Sequence, residues 1–411
     1  MSPHITVVGG AYGEECCFPE SRVYRGSGVR AACILSGLGN QIELNAVVGP
    51  RLAPEFRRIA ARKGIVLRAC ESDTDIWFRY RHPLAKPDIY PPRADAIPLC
   101  DISANDALVY GMIEGRPTVT AKRAVYDPQD GFRSKPFDDN GSSADELAIV
   151  ASWSEARAIS GANTPADAAT QLLSTPSCVA VVIKCGPQGA LVATVVSQQW
   201  VYAFPSKRVW KIGSGDVFSA AYAHAWMTEK KTPLESAWFA SRMVSAYVES
   251  RSEAFPPEQM ECIRAEASAA VVHKTLPSAR PIPQGQIYLA GPFFSTAQQW
   301  LVDEARLAFQ DMGFKVFSPV HDVGRGAPNE VAPSDLDGLE KSELVFAVLD
   351  GLDSGTIFEV GYARAKEIPV IGVAETLGEQ PLTMLLGSGC GITNDFATGV
   401  YAACWQLMKD V

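Results

Sequence analysis

Residues 343–365, ELVFAVLDGLDSGTIFEVGYARA, decide how the rest of the chain is read. After Glu343, the six residues Leu344–Leu349 form an unbroken apolar run, the pattern of a strand buried on both faces. Two aspartates and a Ser-Gly-Thr turn follow, and then a segment with helical spacing that holds Glu359 between Phe358 and Val360. A lone carboxylate in a core costs several kcal/mol or keeps its proton. The segment is therefore either a solvated loop with a helix behind it or a set of carboxylates lining a pocket. The same strand–turn–helix rhythm recurs along the chain. ITVVGG, ALVYGM, LAIVAS, CVAVVIKCG and ALVATVV read as strands, and DVFSAAYAHAWM and PLESAWFASRMVSAYVES as helices. IYLAG, KVFSP and PVIGV continue it toward the C-terminus. Alternation of this kind predicts an α/β protein with mostly parallel sheets covered on both faces. No internal repeat is evident.

With 411 residues the chain exceeds one ordinary core. The stretch HKTLPSARPIPQGQ, with three prolines and little apolar content, reads as a linker at 273–286. It separates a first domain, 1–272, from a second, 287–411. Within the first, 127–144 reads as a surface loop, and the Pro-rich 81–98 has no assignment. A net charge of −9 argues against broad nucleic-acid binding. The ten cysteines include no C-x-x-C pair and read as free thiols in a reducing compartment. No apolar stretch is long enough to cross a bilayer, and the N-terminus runs directly into a strand pattern. The expectation is a soluble cytoplasmic protein with neither nucleic acid nor membrane as partner.

In the first domain the chemistry concentrates in KIGSGDVFSAAY, 211–222. A Gly-x-Gly turn at a helix start offers backbone N–H groups to an anion. Asp216 is there either a general base for an attacking hydroxyl or an ordinary helix cap. The segment resembles the Gly-Ala-Gly-Asp signature of the ribokinase-like (PfkB) sugar and nucleoside kinases. RGSGVRAACILSGLG at 25–39 and VVIKCGPQGALV at 181–192 extend the resemblance over most of 1–255. It implies a ribokinase-like αβα sandwich that uses ATP and Mg²⁺. By position, Asp216 would be the catalytic base and Gly213, Ser214 and Gly215 the anion hole, with the helix at 234–249 flanking the nucleotide. Three positions depart from the family. Arg30 stands where a sugar-binding asparagine is usual, and Glu14 where an aspartate is. Ser152-Trp153-Ser154-Glu155 replaces Asn-x-x-Glu, which keeps Glu155 as an indirect metal residue. Arg30 either binds an anionic, phosphorylated ligand or marks an abandoned sugar pocket.

In the second domain IYLAGPFF at 287–294, SDLDGLEKSELVFAVLD at 334–350 and DSGTIFEVGYA at 353–363 together resemble the nucleoside 2-deoxyribosyltransferase family, whose relatives include nucleotide N-glycoside hydrolases. The resemblance implies a smaller Rossmann-like or flavodoxin-like doubly wound parallel sheet that needs no cofactor. Cleaving an N-glycosidic bond builds positive charge at the anomeric carbon, which a carboxylate can stabilise or attack. Glu359 matches the nucleophile and Tyr288 the residue that orients it. Asp335 matches the group that handles the base, and Asp353 the group at the sugar's 5′ end. Gly291, Gly355 and Gly361 would permit close approach. Without the family, Asp350 and Asp353 are ordinary turn residues. Phe293 and Phe294 are either core or a wall for a base, and His321-Asp322 reads as loop. Residues 287–305 contain no Arg or Lys, which favours a nucleoside over a nucleotide. Leu382 or Thr383 stands where the family completes its site with a neighbouring subunit's asparagine, and homo-oligomers are implied. The partners expected are small molecules: a nucleoside, nucleotide or sugar. The expectation is a bifunctional enzyme of N-glycosidic cleavage or base exchange plus phosphorylation. The alternative is an N-glycoside hydrolase of nucleotides whose kinase-like half only binds a ligand.

Overall fold

The structure is a computed structural model that describes residues 3–92, 97, 99–129, 133–272 and 285–408. Of the expected linker, 273–284 lies outside the described residues, as do 93–96 and 98 of the Pro-rich stretch. The chain divides into two compact units, Met1–Ser206 with Trp210–Ala279, and Lys207–Val209 with Arg280–Val411.

The N-terminal unit is built on a nine-stranded sheet. From one edge its strands are Ser197–Val201, Ala190–Thr194, Cys178–Lys184, Ser143–Ser152, Val119–Asp127, Ile102–Tyr110, His4–Val8, Gln41–Val48 and Val66–Glu71. The two pairings at the Ser197 edge are antiparallel and the other six are parallel. Continuous apolar runs are explained by burial on both faces, since neighbouring side chains point opposite ways. Ile5, Val7, Leu108, Val125, Val150 and Val182 belong to one buried cluster, together with the helices Ser27–Gly37, Ser214–Ala223 and Pro233–Ser250. Val8, Ala107, Ala124, Ile149 and Val181 belong to another. The unit is thus an αβα sandwich. A small second sheet, in the order Ser21–Arg25, Tyr12–Cys16, Trp77–Tyr80 and Asp88–Tyr90, carries Glu14.

Residues 133, 135, 136, 138, 139 and 141 are exposed, as a surface loop requires, but the described part of 127–144 also has buried anchors. Asp127 is 1% exposed at the end of a central strand, Phe137 is buried beside Tyr126 with ring centroids 5.3 Å apart, and residue 143 already starts the next strand. Polar turn residues hid a short excursion pinned to the sheet by one aromatic side chain.

The C-terminal unit has a five-stranded, wholly parallel sheet in the order Lys315–Phe317, Gln286–Ala290, Leu344–Val348, Val370–Val373 and Gly391–Thr393. Numbered along this unit the order is 2-1-3-4-5, the doubly wound arrangement that was expected. The order reverses between its first and third strands, and the crevice beyond their carboxyl ends is where such sheets hold ligands. His321-Asp322 falls in a short helix, Pro319–Asp322, where a loop was expected. Among the described residues no helix is long and apolar enough to cross a membrane.

Candidate functional site

In the C-terminal unit the two strands flanking the reversal and their neighbouring helices gather four of the expected groups. Tyr288 lies inside the first strand, fully buried, with its ring stacked on Phe317 at 5.6 Å. Its hydroxyl donates to Glu359 Oε1 at 2.7 Å. Glu359 is half-buried on the Ser354–Ala365 helix, which follows the third strand. Burial pushes its carboxyl up to about 7; the Tyr288 hydrogen bond opposes the rise, and the nearby Asp335 and Asp353 carboxylates add to it. The tyrosine is itself raised, by burial first and then by Glu359. Asp335, on the Pro328–Glu340 helix, is also raised by burial. Its Oδ1 is buried with no hydrogen-bond partner among the described residues.

Asp353 is the N-cap of the Glu359 helix and accepts from Thr356 N at 2.8 Å and Thr356 Oγ1 at 3.0 Å. One of its oxygens thus holds the turn. Asp350 is a turn residue of another kind, accepting from the backbone N–H groups of Glu375 and Thr376. The connecting loop puts Gly351 at φ 87° and Leu352 at φ 46°. A left-handed leucine is uncommon and marks a loop whose path is imposed by its surroundings. Gly291 is closely packed, since an added Cβ would lie 3.1 Å from Val302 and 3.2 Å from Val348. An added Cβ on Gly355 would come within 3.2 Å of Asp353 Oδ2, whereas a Cβ on Gly361 would meet nothing within 4 Å, so no tight packing explains that glycine. Phe294 is 71% exposed and stacks on the half-buried Phe293 at 5.0 Å, which removes the core reading for Phe294.

In the N-terminal unit the carboxyl ends of the parallel strands converge on the start of the Ser214–Ala223 helix. Asp216 lies in its first turn, and both carboxylate oxygens are engaged. Oδ2 accepts from Arg30 Nη1 at 2.6 Å and Oδ1 from Gln129 Nε2 at 2.8 Å. Its peptide oxygen accepts from the Tyr110 hydroxyl at 2.9 Å. Burial raises the Asp216 carboxyl despite the opposing Arg30 charge. Arg30, with a side chain only 3% exposed, also bonds Glu14 through Nη2. The other oxygen of Glu14 accepts from Gly26 N at 3.0 Å. The guanidinium lies over Gly213, where an added Cβ would come within 2.3 Å of Arg30 Cζ.

Sequence reading missed several groups here. Lys184 pairs with Asp127 at 2.7 Å, and Ser219 donates to the same Asp127 oxygen at 2.6 Å. Lys211 donates to Ser214 at 3.0 Å and is lowered by burial and by the neighbouring Lys184 charge. Two lysines beside Gly213, Ser214 and Gly215 suit an anion. The available signal was the position of Asp127 and Lys184, each a charge that closes an apolar strand. Glu155 is less suited to metal, since Ser152-Trp153-Ser154-Glu155 forms a capping box in which Glu155 Oε2 accepts from Ser152 N at 2.7 Å. No group of three His, Cys, Asp or Glu side chains able to hold a metal ion occurs among the described residues.

Residues 148–260 match the family model for pfkB family carbohydrate kinases, and residues 287–395 match that for nucleoside 2-deoxyribosyltransferases. A domain of each kind is present. No curated protein matches the chain. The tetrameric inhibited form of phosphofructokinase-2 from Escherichia coli is similar, at 15% identity and a TM-score of 0.48, over 65% of this chain and 100% of that one. A structure concerned with converting a pyrophosphate-dependent myo-inositol-1 kinase into a myo-inositol-3 kinase is 14% identical, with a TM-score of 0.47, over 64% of this chain and 98% of that one. The pfkB match covers Asp216 and its glycine turn but neither Glu14 nor Arg30, whereas the transferase match spans Tyr288, Asp335, Asp353 and Glu359.

Proposed function

We propose that the C-terminal unit breaks the N-glycosidic bond of a nucleoside, or exchanges its base, with Glu359 as nucleophile. The observation that carries this is the 2.7 Å hydrogen bond from a fully buried tyrosine to a half-buried glutamate. It fixes Glu359 Oε1 and leaves Oε2 to attack the anomeric carbon. As the C–N bond breaks, its electron pair goes to the base nitrogen, and Asp335, whose carboxyl burial raises, is the group that supplies the proton. Water or a second base then displaces Glu359 from the glycosyl ester. Asp353 keeps one oxygen for the sugar's 5′ hydroxyl after capping its helix, and the Phe293–Phe294 pair offers a wall to the base. The reading places the chain in the cytoplasm as a homo-oligomer with domains 1–272 and 287–411. The exposed Phe358 (60%) and Met384 (81%) support association between copies. Chromatography of a nucleoside and nucleotide panel incubated with the protein, with and without a second base and ATP, tests it. Absence of free or exchanged base throughout the panel, at every pH from 5 to 9, ends the proposal.

For the N-terminal unit the first reading is phosphorylation of the released sugar or of a nucleoside. Lys184, Lys211 and the Gly213–Ser214–Gly215 turn suit the phosphates of ATP, which supplies the phosphoryl group when bound. The side chains present do not suit Mg²⁺ equally, because Glu155 is engaged in its capping box. The Arg30–Asp216 bond favours a second reading, in which the unit binds a ligand and regulates the other. Each Asp216 oxygen already accepts a hydrogen bond, from Arg30 or Gln129, and the ion pair with Arg30 makes the carboxylate a weaker base.

A further inference from the structure

Beside Arg30, within the N-terminal unit, lies a cavity of about 100 Å³ bounded by the small sheet and by Trp210, Tyr247, Arg251 and Glu253. Its charged groups are unevenly paired. Glu15 is held by Arg22 at 3.2 Å and Arg79 at 3.1 Å, Glu253 by Arg25 at 2.6 Å, and Glu14 and Asp216 by Arg30. Arg251 has no carboxylate partner among the described residues, and its guanidinium stands 4.1 Å over the Trp210 ring. Of the charged side chains that line the cavity, three are arginines, Arg25, Arg30 and Arg251, and three are glutamates, Glu14, Glu15 and Glu253, so Arg251 is the cation left without a carboxylate of its own. The buried Arg30 keeps one N–H in reserve, since Nε has no hydrogen-bond partner and its nearest carboxylate, Glu253, is 3.7 Å away. An unused N–H on a buried cation is costly and is relieved by an oxyanion acceptor.

We propose that this cavity binds a small organic oxyanion, a phosphomonoester or a carboxylate, through Arg30 Nε and Arg251, with its body against Trp210. The ligand uses Nε and leaves the Arg30 bonds to Asp216 and Glu14 in place, so the base stays sealed and the ligand is held without being phosphorylated. The proposal rests on the second, ligand-binding reading of this unit.

Calorimetric titration and thermal melting of the full chain with inorganic phosphate, ribose 5-phosphate and malonate test it, the arms separating phosphate from carboxylate. The expected result is saturable binding of at least one, with a rise in Tm that follows occupancy. The exposed Arg251 permits a folded Arg251→Ala variant, expected to bind about tenfold more weakly or worse, while Glu359→Gln binds as the wild type does. No saturable binding by any of the three, or binding unchanged in Arg251→Ala, overturns the site. ATP added to the ribose 5-phosphate arm separates the two ideas. Binding without a bisphosphate product supports both, whereas binding followed by that product keeps the site and removes the ligand-binding reading.

Discussion

The Tyr288 hydroxyl donates to Glu359 Oε1 at 2.7 Å across the point where the C-terminal sheet reverses its strand order. The phenol is fully buried, so the bond sits in a low dielectric where a charge-assisted hydrogen bond counts most. Tyr288→Phe keeps the ring and removes the bond. Base release is expected to fall by about 10- to 100-fold, in line with the loss of one charged hydrogen bond of roughly 1.5–3 kcal/mol. Glu359→Gln keeps the shape and is expected to abolish release. Single-turnover kinetics with a nucleoside substrate check both.

Glu359 titrates at about 7 and must be ionised to attack. The acid limb of the pH–rate profile is therefore expected near neutrality, with activity rising as the pH passes 7. Since the Tyr288 bond lowers this carboxyl, Tyr288→Phe moves the limb to higher pH. A limb near 4.5 would falsify Glu359 as the titrating group.

The same shift has a consequence for stability. The folded-state value lies above the ordinary 4.5, so the group's contribution is fully present below 4.5 and is lost as the pH rises through about 7. Glu359→Gln does not suffer that loss. At pH 8 it is expected to be about 1–2 kcal/mol more stable than wild type, allowing for the partial exposure of the site, and no more stable at pH 4. Urea denaturation at the two pH values measures the difference.

Asp353 serves as helix cap and as candidate sugar ligand, and two variants separate the roles. Asp353→Ala loses the cap and is expected to cost about 1 kcal/mol. Asp353→Asn retains the cap, so a rise in KM for a nucleoside with stability nearly unchanged assigns the sugar contact. If KM follows stability in both variants, the residue is a cap alone.

Arg30→Ala leaves Glu14 and Asp216 facing each other in a buried site. Removing one partner of such a network is expected to cost about 3–5 kcal/mol, measured by denaturant unfolding. Asp216→Asn keeps the shape, and under the ligand-binding reading leaves ADP formation from ATP at the wild-type background. A fall of about 10²–10⁴-fold on that substitution would instead assign Asp216 as an active base.

How far the sequence could be read depended on the range of the interaction involved. The parallel strands were visible because burial on both faces leaves unbroken apolar runs such as 344–349. Glu359 was visible because a carboxylate between Phe358 and Val360 conflicts with its neighbours. Asp127 was missed because Pro128 and the polar residues after it read locally as loop, while its burial depends on strands far along the chain. The engagement of Asp216 could not be read at all, since Arg30 and Gln129 lie 186 and 87 positions away. Such pairings are made by topology and leave no periodic trace. The capping boxes at Ser152 and Ser295 are local and legible in kind, although the first stands where the family resemblance implies a metal motif.

Tyr288 has backbone partners on both sides, opposite Phe317 on one neighbouring strand and Val345 on the other. A slip of one residue would turn its ring to the opposite face of the sheet. The position of the hydroxyl is thus set by sheet register, whereas Asp350, Asp353 and the Phe293–Phe294 pair sit at strand exits and loop turns. Loop substitutions can then change which sugar and base are accepted while the acid–phenol pair stays where it is, so substrate range and bond cleavage can drift separately in evolution.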